Sequence, residues 1–213
     1  MDIIAPLLAD PAAPRLTTYT PAGRMELSGQ TLANWQSKVA HLLRAYGVQP
    51  GDRIGLIADT GWQPAVIAIG AWHVGAVLTD NPDAQLLFTD DPARAEASDA
   101  EEIFLLSSDP FGRGVEESGG EVPFGITDFS PEVRIHPDQY HAPTVDGPEL
   151  AEGVSAPGAG SARRVLTGPW QNVAELTRAL VPLMHAGSVV VSVDTATERI
   201  QELAAKEGAE LEL

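Results

Sequence analysis

The sequence predicts an α/β fold of mostly parallel sheets flanked by helices, built from two related βαβ units. Three observations carry this. An apolar strand, an apolar helix and a second apolar strand follow one another with short connectors over residues 53–79, the pattern of a parallel βαβ unit with a right-handed crossover. The same order returns over residues 164–193. Between the two, the chain becomes rich in Pro, Gly, Asp and Glu and loses its periodicity. We read 1–213 as a single α/β domain, with a first unit and its N-terminal hairpin at 16–106, an irregular acidic insertion at 107–160 and a second unit at 161–213.

Each element has a local reason. Leu16 to Tyr19 and Arg24 to Leu27 flank Thr20-Pro21-Ala22-Gly23, and Pro and Gly supply the turn of a hairpin. Ser28 reads as an N-cap. From Thr31 to Tyr46, Leu32, Trp35, Val39, Leu42 and Leu43 recur at three- and four-residue steps and mark one helical face, which Gly47 ends. Arg53 to Ala58 is a short buried strand, Trp62 to Val74 a mostly buried helix, and Ala76 to Thr79 the next strand. Leu86 to Thr89 and Ile103 to Leu106 are further strands with a weak helix between them. A structureless loop as long as 107–160 is unusual in a compact domain, so part of it packs, with Val133 to His136 read as one short strand. Arg164 to Thr167 is a strand, Gln171 to His185 a helix, Ser188 to Val193 a strand, Thr195 to Glu207 a helix and Ala209 to Leu213 a final strand.

Charge narrows the partners. Thirty acidic residues outnumber thirteen basic ones, giving a net charge of −17, and Lys38 and Lys206 are the only lysines. Such a surface repels phosphate backbones and anionic lipid, so neither nucleic acid nor a membrane is an expected partner. No apolar stretch approaches the ~20 residues of a membrane span, and the N-terminus lacks a basic signal-peptide start. Cysteine is absent, which excludes disulfides and thiol chemistry and fits a cytoplasmic location.

GDRIGLIADTGWQPAVIAIGAWHVGAVLTD (51–80) and SARRVLTGPWQNVAELTRALVPLMHAGSVVVSVD (161–194) form an internal repeat. Trp62 matches Trp170, Gln63 matches Gln171, His73 matches His185 and Gly75 matches Gly187. The repeat favours a connector over a phosphate loop for the glycine-rich stretch SAPGAGSARRVLTG (155–168), which sits where the first copy has a plain helix-to-strand connector. A phosphate loop has its glycines after a strand and before a helix, with a lysine; here they precede a strand and no lysine is present.

The stretch from Leu16 to Asp80, with LSGQTLANW, YGVQPGDRIGLI and AWHVGAVL, resembles the start of the adenylate-forming superfamily, which includes acyl-CoA synthetases and nonribosomal peptide adenylation domains. HAGSVVV and TATERIQELAAKEGAE resemble a later segment of the same enzymes. The whole chain more closely resembles a small actinobacterial family of short, adenylate-forming-enzyme-like proteins of unknown function, through TLANW (31–35), DPFGR (109–113), FGITDFSPEVRIHPDQY (124–140) and the two Trp repeats. The resemblance implies a truncated N-terminal adenylating scaffold. Those enzymes hold ATP with a Ser/Thr/Gly-rich loop ending Pro-Lys-Gly, an acidic residue on the ribose and a C-terminal-domain lysine. No such loop lies between Asp80 and Gly160, and no lysine lies between Lys38 and Lys206. Adenylyl chemistry depends on fixed positive charge, so ATP with magnesium is not an expected cofactor and catalysis is not expected.

Candidate sites remain. Asp59, Thr60, Gly61 and Trp62, with Trp170 from the second copy, fall at the carboxyl ends of parallel strands, where α/β folds bind ligands; the alternative for both tryptophans is core packing. His136, Asp138 and His141 are the one cluster with metal-ligand residue types; the alternative, which we favour, is an exposed polar loop. His73 and His185 read as caps of helix C-termini rather than an acid–base pair. Arg163 and Arg164 have local carboxylates to pair with, and Ser155 and Ser161 lack a base and are not read as nucleophiles. Three functions compete: a non-catalytic relic that binds an unidentified small molecule or protein, an enzyme working through His136, Asp138 and His141, and a structural module. A homodimer would cover apolar surface left by a lost neighbouring subdomain. The first is the favoured reading.

Overall fold

The computed structural model describes residues 2–212. Two five-stranded sheets form the frame. One contains β3 (Arg53–Ile57), β4 (Val77–Thr79), β5 (Leu86–Thr89), β6 (Glu102–Leu105) and β7 (Thr127–Asp128), in the order β4-β3-β5-β6-β7 and parallel throughout. The other contains β1 (Pro14–Thr20), β2 (Gly23–Ser28), β8 (Arg164–Thr167), β9 (Ser188–Ser192) and β10 (Glu210–Leu211), in the order β10-β8-β9-β1-β2. Only the β1–β2 hairpin is antiparallel there; β1 runs parallel to β9, with Leu16 opposite Val189. The hairpin therefore hydrogen-bonds to the strands of the second repeat, although it adjoins the first in sequence.

The repeat extends to topology. In the first copy β3 is central, β4 lies on one side and β5 on the other. In the second, β8 is central, β9 lies on one side and β10 on the other.

The helices follow from capping and burial. The α1 helix (Gly29–Ala45) starts at Ser28, whose Oγ accepts the Thr31 N–H at 3.2 Å. The α2 helix (Trp62–Val74) is buried at every residue, as a helix apolar on all sides but for Gln63 and His73 must be. It packs along α1 and touches β1 of one sheet and β4 of the other. The closest approach is at Gly70, where a Cβ would overlap the Val39 side chain. Gly75, at φ 81°, closes the helix in the left-handed conformation that glycine adopts without strain. Short α3 (Pro92–Ala97) joins β5 to β6.

Two expectations are corrected. Residues 133–136 are not a strand: α4 (Phe129–Arg134) occupies the segment and buries Phe129 and Val133, four residues apart on one helical face. The helix expected over 171–185 is divided into α5 (Val173–Ala179) and α6 (Val181–Met184), because Pro182 lacks the N–H that would continue the ladder. The final strand is the short β10, and Leu213 lies outside the described residues. A last helix, α7 (Thr197–Glu207), covers Leu166 and Val190 with Ile200 and Leu203.

Candidate functional site

In a parallel sheet whose strands run 4-3-5-6-7, the chain leaves β3 toward β4 and then returns to add β5 on the other side. The gap between the carboxyl ends of β3 and β5 is the topological switch point, where the loops diverge and open α/β folds bind ligands. A cavity of about 350 Å³ lies there. Its floor is the turn after β3, Ala58 to Trp62; Asp90 enters directly after β5, and Leu106 to Ser108 after β6. The tip of the β1–β2 hairpin, from Thr18 to Met25, roofs it from the other sheet.

Asp59, Thr60, Gly61 and Trp62 all line this cavity. Gly61 is the N-cap of α2 and offers no side chain to its first turn. The Asp59 N–H donates to Asp90 Oδ2 at 2.9 Å, which fixes the two strand ends together. Burial pushes the Asp90 carboxyl above the usual carboxylate range; the Asp59 N–H and Arg94 oppose this, while the Asp59 charge adds to it. Among the described residues neither Asp59 nor Asp90 makes an ion pair, and no Arg, Lys or His lines the cavity.

Trp62 is both wall and core. It is 5% exposed, its ring centroid lies 4.9 Å from that of Trp35, and its Nε1 donates to the Asp109 carbonyl at 3.4 Å. The DPFGR segment folds onto it. Gly112, at φ 76°, sits against the indole, where a Cβ would lie 3.3 Å from the ring. Asp109 holds this turn. Its carboxylate takes the Arg113 guanidinium at 2.7 Å and the Phe111 N–H at 2.8 Å, and the Arg113 bonds keep it below the usual carboxylate range. The middle segment thus closes one side of the site.

Trp170 is not in the cavity. It lies in a narrow crevice with Ala58, Pro64 and Asp80, and its N–H donates to Thr60 Oγ1 at 3.0 Å. The two repeats meet through that bond. A second cavity of about 270 Å³ opens at the matching switch point of the other sheet, with Thr167 ending β8, Gly168 following it and Glu212 after β10. It lacks a hairpin roof.

The remaining candidates separate. Asp138 pairs with Lys38 Nζ at 3.0 Å, the His136 ring stacks on His41 with centroids 6.2 Å apart, and His141 is exposed. Burial lowers the His136 pKa, which favours the neutral ring. Among the described residues no group of three or more His, Asp and Glu side chains is placed to hold a metal ion. His73 does not cap α2: its Nδ1 pairs with the Thr144 hydroxyl at 3.2 Å, and Arg44 Nη2 reaches the Val74 carbonyl instead. Arg163 pairs with Glu210 at 3.1 Å and Arg164 with Glu207, carboxylates that the sheet order brings near. Ser155 and Ser161 are exposed.

Residue order did not point to Asp90, the hairpin wall or Leu106 to Ser108. One signal was available: Asp59 and Asp90 each follow an apolar strand closely, and neighbouring parallel strands put such residues side by side.

The comparisons with known proteins agree with this frame. No family model matches the chain. A TIGR03089 family protein of Mycobacterium tuberculosis is 37% identical over an alignment 216 positions long, covering 90% of this chain and 87% of its own. Among solved structures, a Brucella canis acyl-CoA synthetase superposes on 99% of this chain with a TM-score of 0.75 at 13% identity. The acetoacetyl-CoA synthetase of Streptomyces lividans does so on 98% with a TM-score of 0.71 at 16% identity. The chain spans 47% and 41% of those two proteins, so the likeness is one of fold to part of an adenylate-forming enzyme. No helix among the described residues is long and apolar enough to cross a membrane.

Proposed function

The chain belongs to the TIGR03089 family, and from that premise we propose that it is a non-catalytic ligand-binding module on an adenylate-forming frame, with the β3/β5 cavity as its site. The roofed cavity of about 350 Å³ carries the reading, being of the size that holds a small molecule. The charge of its walls supports the non-catalytic half. Triphosphate chemistry needs cations aimed at the transferring group, whereas Asp59 and Asp90 present carboxylates.

The test is a thermal-shift screen of a metabolite library on the wild-type chain and on Ala22→Trp, which places an indole at the exposed hairpin tip beside the cavity. Compounds that raise the melting temperature of the wild type are expected to lose that effect in the variant. Stabilisation that survives the indole unchanged would remove the cavity as the site.

A second reading, self-association, is favoured by Phe111, Phe124 and Ile135, which are 83%, 107% and 75% exposed. Light scattering of the wild type against a variant with serine at all three positions tests it. A dimer that the variant abolishes supports the reading, and a monomeric wild type at high concentration removes it.

A further inference from the structure

We infer that the β3/β5 cavity selects a small organic cation, a primary amine or amidine on a compact apolar body, with Asp59 and Asp90 as its counter-ions. The inference rests on the reading of this cavity as a ligand site and adds the chemical class. Three properties of the walls point to it.

The first is uncompensated charge. Two carboxylates enter from adjacent strand ends, and the bond between them runs from the Asp59 N–H to Asp90 Oδ2, not between their side chains. The charged group facing Asp90 from α3 is Arg94. Its Nη1 is directed to the Ile57 carbonyl at 3.4 Å and to Thr89 Oγ1 at 3.2 Å, and its Nη2 lies 3.8 Å from Asp91. It softens the field at Asp90 without pairing with it. A chain that pairs most of its arginines elsewhere leaves these two acids for a ligand.

The second is enclosure. Asp59 is exposed, but the hairpin roof and the Leu106 to Ser108 wall leave Asp90 half-buried, and burial raises its pKa. A bound cation favours the ionised form of Asp90, and its attraction to a half-buried carboxylate is less screened than on an open acidic surface. The third is the rest of the lining. Trp62, Met25 and Pro110 give the site an apolar wall for the body of such a ligand. An anionic ligand would meet the same carboxylates with no arginine or lysine to offset them.

Matched probes test the class. Phenethylamine and benzamidine are titrated into the full chain beside 2-phenylethanol and phenylacetate, with amide shifts of residues 58–63 and 90 followed by NMR. The cations are expected to bind at this site and phenylacetate is not. Affinity for the cations should fall as pH drops through the raised Asp90 range, because protonation removes the counter-ion. Asp90→Asn and Asp59→Asn should each weaken the cations by roughly tenfold to a hundredfold, the usual worth of a charged hydrogen bond, and leave 2-phenylethanol unchanged. Should either variant fold poorly, the pH and salt dependence of the wild type gives the same readout.

Equal binding of alcohol and amine, with no response to either variant or to pH, would overturn the cation class while leaving the cavity as a ligand site. Perturbation of these residues by phenylacetate in preference to phenethylamine would do the same. Silence of residues 58–63 and 90 to every probe at millimolar concentration would overturn both.

Discussion

Replacing Glu207 with glutamine should cost stability at neutral pH and cost nothing near pH 2. Glu207 closes α7, and its side chain is only 7% exposed. Its carboxylate accepts the Tyr19 hydroxyl of β1, the Arg24 guanidinium of β2 and the Arg164 guanidinium of β8. One acid thus ties the last helix to three strands of one sheet. Burial alone would raise its pKa, but the three hydrogen bonds outweigh burial and bring it from 4.5 to about 2. At about 1.4 kcal/mol per tenfold change in proton affinity, that displacement is worth about 3 kcal/mol.

Arg24 is 38% exposed, so water screens part of the gain and about 2 kcal/mol is the expected loss in Glu207→Gln. The sign follows from the depressed pKa. The contribution is complete above about pH 4.5 and disappears as pH falls toward 2. Urea denaturation of both proteins across pH 2.5 to 7, followed by tryptophan fluorescence, measures the difference. A penalty that stays constant over that range, or no penalty at pH 7, would refute the reasoning.

Three other outcomes follow from the same geometry. Gly70→Ala should lose about 1–3 kcal/mol in chemical denaturation because its methyl overlaps Val39, and adding Val39→Ala should recover part of the loss. Gly112→Ala should cost about 1–3 kcal/mol through its left-handed backbone and loosen the loop over Trp62, seen as a change in indole emission. Asp90→Asn should raise the melting temperature at pH 7. The folded chain holds the Asp90 proton more firmly than the unfolded chain does, so ionisation lowers stability as pH rises through that range, and the amide never ionises.

Residue order revealed what is local. Trp62–Val74 as a helix, Leu86–Thr89 and Arg164–Thr167 as strands, and Ser28 as a cap all follow from neighbours a few positions apart. The α4 helix was also within reach: Phe129 and Val133 have helical spacing, and Glu132 lies in the first turn. What could not be read was long-range. The pairing of Leu16 with Val189 joins residues far apart in the chain, and no periodicity encodes it. The same holds for the cavity. Asp59 to Trp62 was visible as a strand-end turn, whereas the hairpin roof depends on how the two sheets pack, and the placing of Asp90 beside Asp59 depends on strand order. The His136, Asp138 and His141 pattern is the converse case. Nearness in sequence does not aim side chains at one point, and Lys38 and His41 of α1 engage two of the three.

Calorimetric titration of the full chain with ATP in the presence and absence of magnesium, paired with an assay for released pyrophosphate, bears most directly on the claim that an adenylating frame here carries no cationic hold on triphosphate. The account predicts no magnesium-dependent heat at millimolar nucleotide and no pyrophosphate. Micromolar binding that requires magnesium, or steady pyrophosphate release by the purified chain, would contradict it.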